Sequence, residues 1–213
     1  MNSNTSIFNN RVESEDELRQ LLGYPNPVVA QKTITTIDAH CRSFISLSPM
    51  VYLATSDSRG SCDVSPRGDA PGFVYVLDEK HLVIPERPGN RKMDSFLNLL
   101  ENPHAGLIFI IPGLEETLRM NGRASIITDP DLMEKMSSHG KIPKLGIGIQ
   151  VEACYFHCGK AFRRSELWKP ESWPDLSAMP TVAKMLADHV GVADVTAESV
   201  AQGLRESYEK RLY

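Results

Sequence analysis

The sequence predicts a mainly β protein, an antiparallel barrel with helices added at both ends. Two observations carry this reading. Between residue 50 and about residue 160, short runs rich in β-branched and aromatic residues alternate with turns rich in Gly, Pro and Asp, and only one helical pattern interrupts them. Outside that stretch, apolar residues recur at the i, i+3, i+4 spacing of amphipathic helices. The expected organisation is therefore a helical extension over 1–48, a barrel over 49–170 and a second helical extension over 171–213, folding as one compact domain.

Taken in order, Ser14-Glu15-Asp16-Glu17 has the form of a capping box. Leu18, Leu21 and Leu22 then make an apolar stripe, and Gly23 can end the helix. A second helix is expected over 34–47, with Ile34, Ile37, Cys41, Phe44 and Ile45 on one face and Pro49 closing it. Strands are expected at 51–55, 61–66, 73–77 and 81–85. After Asn90, the residues Met93, Phe96, Leu97 and Leu100 fall at helical spacing, and Asn102-Pro103 stops that helix. Strands follow at 105–111, 117–128 and 145–158. In the tail, Val182, Met185, Leu186 and Val190 precede Gly191, and Thr196 caps a last helix carrying Val200, Leu204 and Tyr208. These stripes read as packing faces.

With 213 residues and a net charge of −4, the chain can bury a substantial core but has no general affinity for nucleic acid. The opening MNSNTSIFNN has no secretory pattern, and no run approaches the length of a membrane span. A cytoplasmic protein with reduced cysteines is the expectation. Cys154, His157 and Cys158 are close in sequence, but a strand would turn His157 away from both cysteines, so no metal site is expected. There is no nucleophile elbow, metalloprotease helix, Walker loop or dinucleotide-binding glycine motif. No catalytic acid, base or nucleophile can be assigned.

One segment does point to a ligand. Pro85-Glu86-Arg87-Pro88-Gly89-Asn90-Arg91-Lys92 places three cations, Arg87, Arg91 and Lys92, around a Pro-Gly turn, with Asn90 able to cap the helix that follows. Free N–H groups and the positive end of the helix dipole make such a start an anion site, and cations there are unfavourable without a compensating anion. That anion is either a phosphate or, internally, Asp94.

Three further segments interrupt the pattern. Asp63, Ser65 and Arg67 share one face of an extended chain, as a ligand site or as an exposed corner. Thr117, Arg119, Asn121 and Arg123 alternate with Leu118, Met120, Gly122 and Ala124, giving a polar face over an apolar one; Gly122 in mid-strand points to a bulge or a close backbone approach. Residues 157–168 mix Lys160, Arg163 and Arg164 with Trp168, suiting a flavin ring, a subunit contact or a surface connection. A chain that can hold an anion but offers no reactive group of its own fits chemistry carried by a bound cofactor.

In their order along the chain, Val51–Thr55, Asp63–Phe73, Leu82–Asp94, Asn102–Pro112, Leu118–Ala124 and His157–Trp168 resemble the pyridoxamine 5′-phosphate oxidase-like family of FMN-binding split barrels, over roughly residues 35–170. The resemblance is to an FMN-dependent branch rather than to the vitamin B6 enzyme, whose Arg-x-Val-Leu-Leu-Lys strand and Arg-Leu…Arg ending are missing. It implies a six-stranded antiparallel split barrel that forms a homodimer with FMN at the subunit interface. Arg91 and Lys92 would then be the phosphate-binding pair, with Arg87 and Asn90 beside them. Ser65 and Arg67 would lie on the strand lining the flavin, and Thr117 and Arg119 on the strand before Gly122. Lys160, Arg164 and Trp168 would close over the cofactor from the partner chain. The implied activity is that of an FMN-dependent oxidoreductase acting on a small organic substrate, with a nicotinamide as a candidate electron donor. The alternatives are a deazaflavin in place of FMN, or a non-enzymatic flavin or haem binder using His157 as an axial ligand.

Overall fold

The alternating segments pair into an antiparallel sheet of seven strands. In the computed structural model, which describes residues 7–213, these are β1 Met50–Ser56, β2 Cys62–Gly68, β3 Tyr75–Val76, β4 His81–Pro85, β5 His104–Ile110, β6 Thr117–Ile127 and β7 Gly146–His157. The helices are α1 Glu15–Leu22, α2 Pro27–Gln31, α3 Ala39–Leu47, α4 Asp94–Glu101, α5 Pro130–Lys135, α6 Lys160–Ser165, α7 Val182–Val190 and α8 Ala197–Lys210. The strand order is β2-β1-β5-β6-β7-β4-β3, and the edge strands β2 and β3 do not pair with each other. The sheet therefore stays split, with flanking helices, as expected for the fold class. It has seven strands rather than six because the two-residue β3 adds an edge to β4.

By chain contacts the protein divides into two units, Met1–Thr33 and Ile34–Tyr213. Within the first, Ser14 caps α1 by accepting the amide of Glu17, and Gly23 ends it at φ +73°. Glu17 takes the amide of Glu13 rather than that of Ser14, so the box is displaced by one residue.

In the second unit, one face of the sheet forms the core. Val51 and Leu53 (β1), Leu107 and Phe109 (β5), Leu118 and Met120 (β6) are all at most 1% exposed. They occupy alternate positions, as the period of two requires. The β6–β7 pairing shifts register between Asn121 and Gly122, which face Ala153 and Val151 and leave Glu152 as the extra residue of a bulge. The two backbones come so close there that a Cβ on Gly122 would collide with the carbonyl of Gln150.

Two helices begin later than the spacing predicts. Ile34 pairs as a bridge with Cys154 of β7, and Asp38 caps α3 by accepting the amide of Cys41, so that helix starts at Ala39 rather than at 34. Ile37 is buried in the same core cluster from the non-helical segment before α3. Likewise α4 starts at Asp94, because Arg91 and Met93 adopt positive φ (62° and 67°) and Asn90 caps a turn at the amide of Lys92 instead of the helix. The buried face of α4 is Ser95, Phe96 and Leu99; Met93, Leu97 and Leu100 of the expected stripe are exposed.

Candidate functional site

Strand β2, the segment 85–96, the loop 141–145 and the end of α8 border one cleft of about 1680 Å³. Seven cations and three carboxylates line it, in a chain whose net charge is −4. The cleft thus carries an excess of cations although the molecule as a whole is acidic.

The inner face of β2 is tied to α4 and β4 by a continuous polar chain. Ser95, 2% exposed on α4, donates to Asp63 Oδ2 at 2.6 Å and shares a 3.0 Å hydrogen bond with Ser65. Arg67 donates through Nε to Ser65 at 3.2 Å, pairs with Glu86, and rests its guanidinium 5.5 Å from the ring centroid of Phe96. Burial pushes the Glu86 carboxyl up, and the Arg67 charge opposes that only in part. Ser65 and Arg67 are therefore held in place by neighbours before any ligand arrives, which is how a site keeps its geometry.

In the basic turn the cations differ in what they already hold. Arg87 is paired with Asp69 through Nε at 2.6 Å and donates to the Met136 carbonyl at 3.0 Å. Lys92 is paired with Asp94 at 2.8 Å, so the internal compensation foreseen at the helix start is present. Arg91, Lys141, Lys144 and Arg211 line the cleft without an ion pair among the described residues. The positive φ of Arg91 and Met93 is unusual for residues with side chains, and such backbone clusters at functional sites.

Asp69 sits behind this turn. Burial works against its ionisation, but the Ala70 amide, the Tyr213 hydroxyl and the Arg87 guanidinium together hold its carboxyl below the ordinary range. Tyr213 donates to Asp69 Oδ1 at 2.8 Å, and its ring lies against that of His139 at 4.1 Å between centroids.

Six of the eleven candidate ligand residues thus border the cleft: Ser65, Arg67, Arg87, Asn90, Arg91 and Lys92. The other five do not. Thr117 is buried at the start of β6 opposite His157. Arg119 projects from the other face of the sheet, 5.4 Å from the ring centroid of Tyr155. Lys160 and Arg164 are exposed on α6, and Trp168 donates to the carbonyl of Leu114 at 2.9 Å while stacking on Phe162 at 5.7 Å. The alternative haem ligand, His157, lies at that same end, outside the cleft. Glu86, Ser95, Lys141, Lys144, Arg211 and Tyr213 enter the cleft without having been expected. Of these, only Ser95 carries a local signal, a polar residue directly before Phe96 on the buried side of α4.

The structure thus joins a split, antiparallel sheet to a cation-rich cleft between β2 and the turn after β4. The chain belongs to the pyridoxamine 5′-phosphate oxidase family, whose sequence model matches residues 37–158. Solved structures similar to it include HupZ from Group A Streptococcus, at 20% identity and a TM-score of 0.44, covering 55% of this chain and 90% of that one. HutZ, the heme storage protein from Vibrio cholerae, aligns at 16% identity and a TM-score of 0.41, covering 57% and 93%. An F420 reductase aligns at 20% identity and a TM-score of 0.40, covering 55% and 94%. No curated protein matches the sequence.

Proposed function

We propose that the protein is an FMN-dependent oxidoreductase acting on a small organic substrate, with FMN held in the cleft of a homodimer. The observation that carries this reading is the gathering of β2 and the basic turn onto one cleft with an excess of cations, in a chain of this family. The donor set fits the group: a phosphate needs cations and N–H donors, and Arg91 is available while Lys92 is held nearby by Asp94 alone. Bound there, FMN would supply reversible hydride or electron transfer. Arg91 and Lys92 would hold the phosphate, with Asn90 shaping the turn and Arg87 braced by Asp69. Ser65 and Arg67 would face the ring system, where a fixed guanidinium favours an anionic reduced form.

The dimer accounts for four of the five candidates that lie elsewhere. Lys160, Arg164 and Trp168 would reach the cleft of the partner subunit, with Arg119 at the contact, whereas Thr117 is already buried within its own chain. The exposed Leu97 and Leu100 of α4 are apolar surface suited to such a contact. A nicotinamide is the proposed electron donor, and a cytoplasmic location agrees with the absence of any helix among the described residues long and apolar enough to cross a membrane.

The test is the visible spectrum of the purified protein, with any chromophore released by heat and identified, followed by addition of reduced nicotinamide. Flavin bands bleached by the donor support the reading. A protein that takes up no FMN, or that instead develops a haem band lost in His157→Ala, contradicts it.

A further inference from the structure

Away from the cleft, two cysteines meet that the proposed function does not use. Cys41 on α3 and Cys154 on β7 are 1% and 0% exposed, and their Sγ atoms lie 3.2 Å apart. They are 113 positions apart in sequence, so only the fold brings them together. Two anchors keep them there. Asp38 Oδ1 accepts the Cys41 amide at 2.8 Å and fixes the first turn of α3. Cys154 exchanges both backbone hydrogen bonds with Ile34, at 2.7 and 2.9 Å. The segment 34–41 is thus clamped against β7 on either side of the thiols.

We propose that Cys41 and Cys154 are a latent disulfide site, closed by a small uncharged peroxide such as hydrogen peroxide. A disulfide has a sulfur–sulfur length of about 2.05 Å, so the pair must close by about 1 Å. The roles of the two sulfurs follow from their contact. The hydrogen bond to Cys154, then burial and the Asp38 carboxylate, push the Cys41 thiol up, while the Cys41 hydrogen bond pulls Cys154 down. Either sulfur can be the donor in that contact, so the first attack is open to both, and the lowered Cys154 thiol favours the route that begins there.

In the first step the Cys154 sulfur attacks a peroxide oxygen. The S–O bond forms, the O–O bond breaks, and the thiol proton leaves with the departing hydroxide as water. In the second step the Cys41 sulfur attacks the Cys154 sulfur. The S–S bond forms, the S–O bond breaks, and a second water leaves with the Cys41 proton. Two thiols and one peroxide give one disulfide and two waters, and two electrons pass from sulfur to the peroxide. Burial restricts the reaction to oxidants small enough to enter a packed core. The product would tie α3 to β7 around β1–β6 and restrain the unfolded chain.

The test uses the full chain with Cys62→Ser and Cys158→Ser, since both of those cysteines are exposed and would compete. The folded protein is treated with hydrogen peroxide, alkylated under denaturing conditions and digested without reduction. The proposal expects a Cys41–Cys154 linked peptide, loss of both alkylatable thiols, and a melting midpoint that rises and returns on adding dithiothreitol. A further Cys41→Ala substitution should abolish the linked peptide and the rise; should that variant not fold, the reducible rise in the parent decides alone. The proposal is overturned if both thiols remain alkylatable, or if Cys154 is oxidised to a sulfinic acid without a linked peptide.

Discussion

The cleft and the far rim of the barrel are both rich in cations, but they use them differently. In the cleft, Arg67 and Arg87 are each seated on a carboxylate against the fold, and Arg91 stands on a turn of unusual backbone. At the far rim, Arg163 is paired with the half-buried Glu115 at 2.8 Å and Lys169 with Glu166 at 2.6 Å, the other three side chains being exposed. Surface pairs of that kind contribute little and are easily exchanged. A cation held by buried neighbours marks a site within one chain, whereas a cation on an open rim can do chemistry only if another surface covers it. In the proposed dimer the rim supplies the cover.

Four substitutions probe this contrast. The largest effect is expected from reversing the turn itself. Arg91→Glu combined with Lys92→Glu should weaken FMN binding by about a hundredfold or more, since each charge-assisted contact to phosphate is worth roughly 1.5–3 kcal/mol. Flavin fluorescence titration would show this, and unchanged affinity would remove the phosphate from the turn.

Next comes Gly122→Ala, which forces a Cβ into the Gln150 backbone. A loss of about 2–3 kcal/mol in chemical denaturation is expected, without a selective effect on either region. A neutral outcome would mean that the bulge relaxes.

At the rim, Arg164→Ala should lower flavin affinity by about tenfold in the dimer and leave the stability of the protein unchanged. No change in affinity would detach the rim from the site.

The smallest effect concerns Asp69, whose folded pKa lies below its ordinary value of 3.8. Its contribution is fully present above 3.8 and is lost as the pH falls through the lower folded value. Asp69→Asn should remove about 1 kcal/mol at neutral pH and flatten the acid limb of the stability profile below pH 3.8. An acid limb identical in both proteins would show that the Arg87 and Tyr213 contacts do not bear on folding.

The strands were legible because alternation is local: β1, β5, β6 and β7 lie within a residue or two of their expected bounds, and the close approach at Gly122 was visible as a glycine inside an alternating run. The starts of α3 and α4 were not. Periodicity reports which residues are apolar, and Ile34 and Ile37 satisfy it while packing on the core, Ile34 partly and Ile37 fully buried, from the non-helical segment before α3. For α4, the spacing selects Met93, Phe96, Leu97 and Leu100, but two left-handed residues delay the helix, and of that stripe only Phe96 is buried, beside Ser95 and Leu99.

The cleft was half legible for a similar reason. Ser65, Arg67 and 87–92 announce themselves by composition. Lys141, Lys144, Arg211 and Tyr213 arrive from loops and helix ends that no short-range pattern connects to β2. Glu86 stood beside Arg87 in sequence, but its partner across the cleft is Arg67, nineteen residues away, a pairing set by the β2 and β4 ends.

The first measurement to make is a titration of FMN against the unaltered protein and the Arg91→Glu, Lys92→Glu variant, since the proposed site holds FMN by its phosphate at the turn 87–92. Saturable binding by the first, with quenched flavin fluorescence, and its loss in the second is the predicted result. Failure of the unaltered protein to bind FMN, or equal binding by both, would contradict the account.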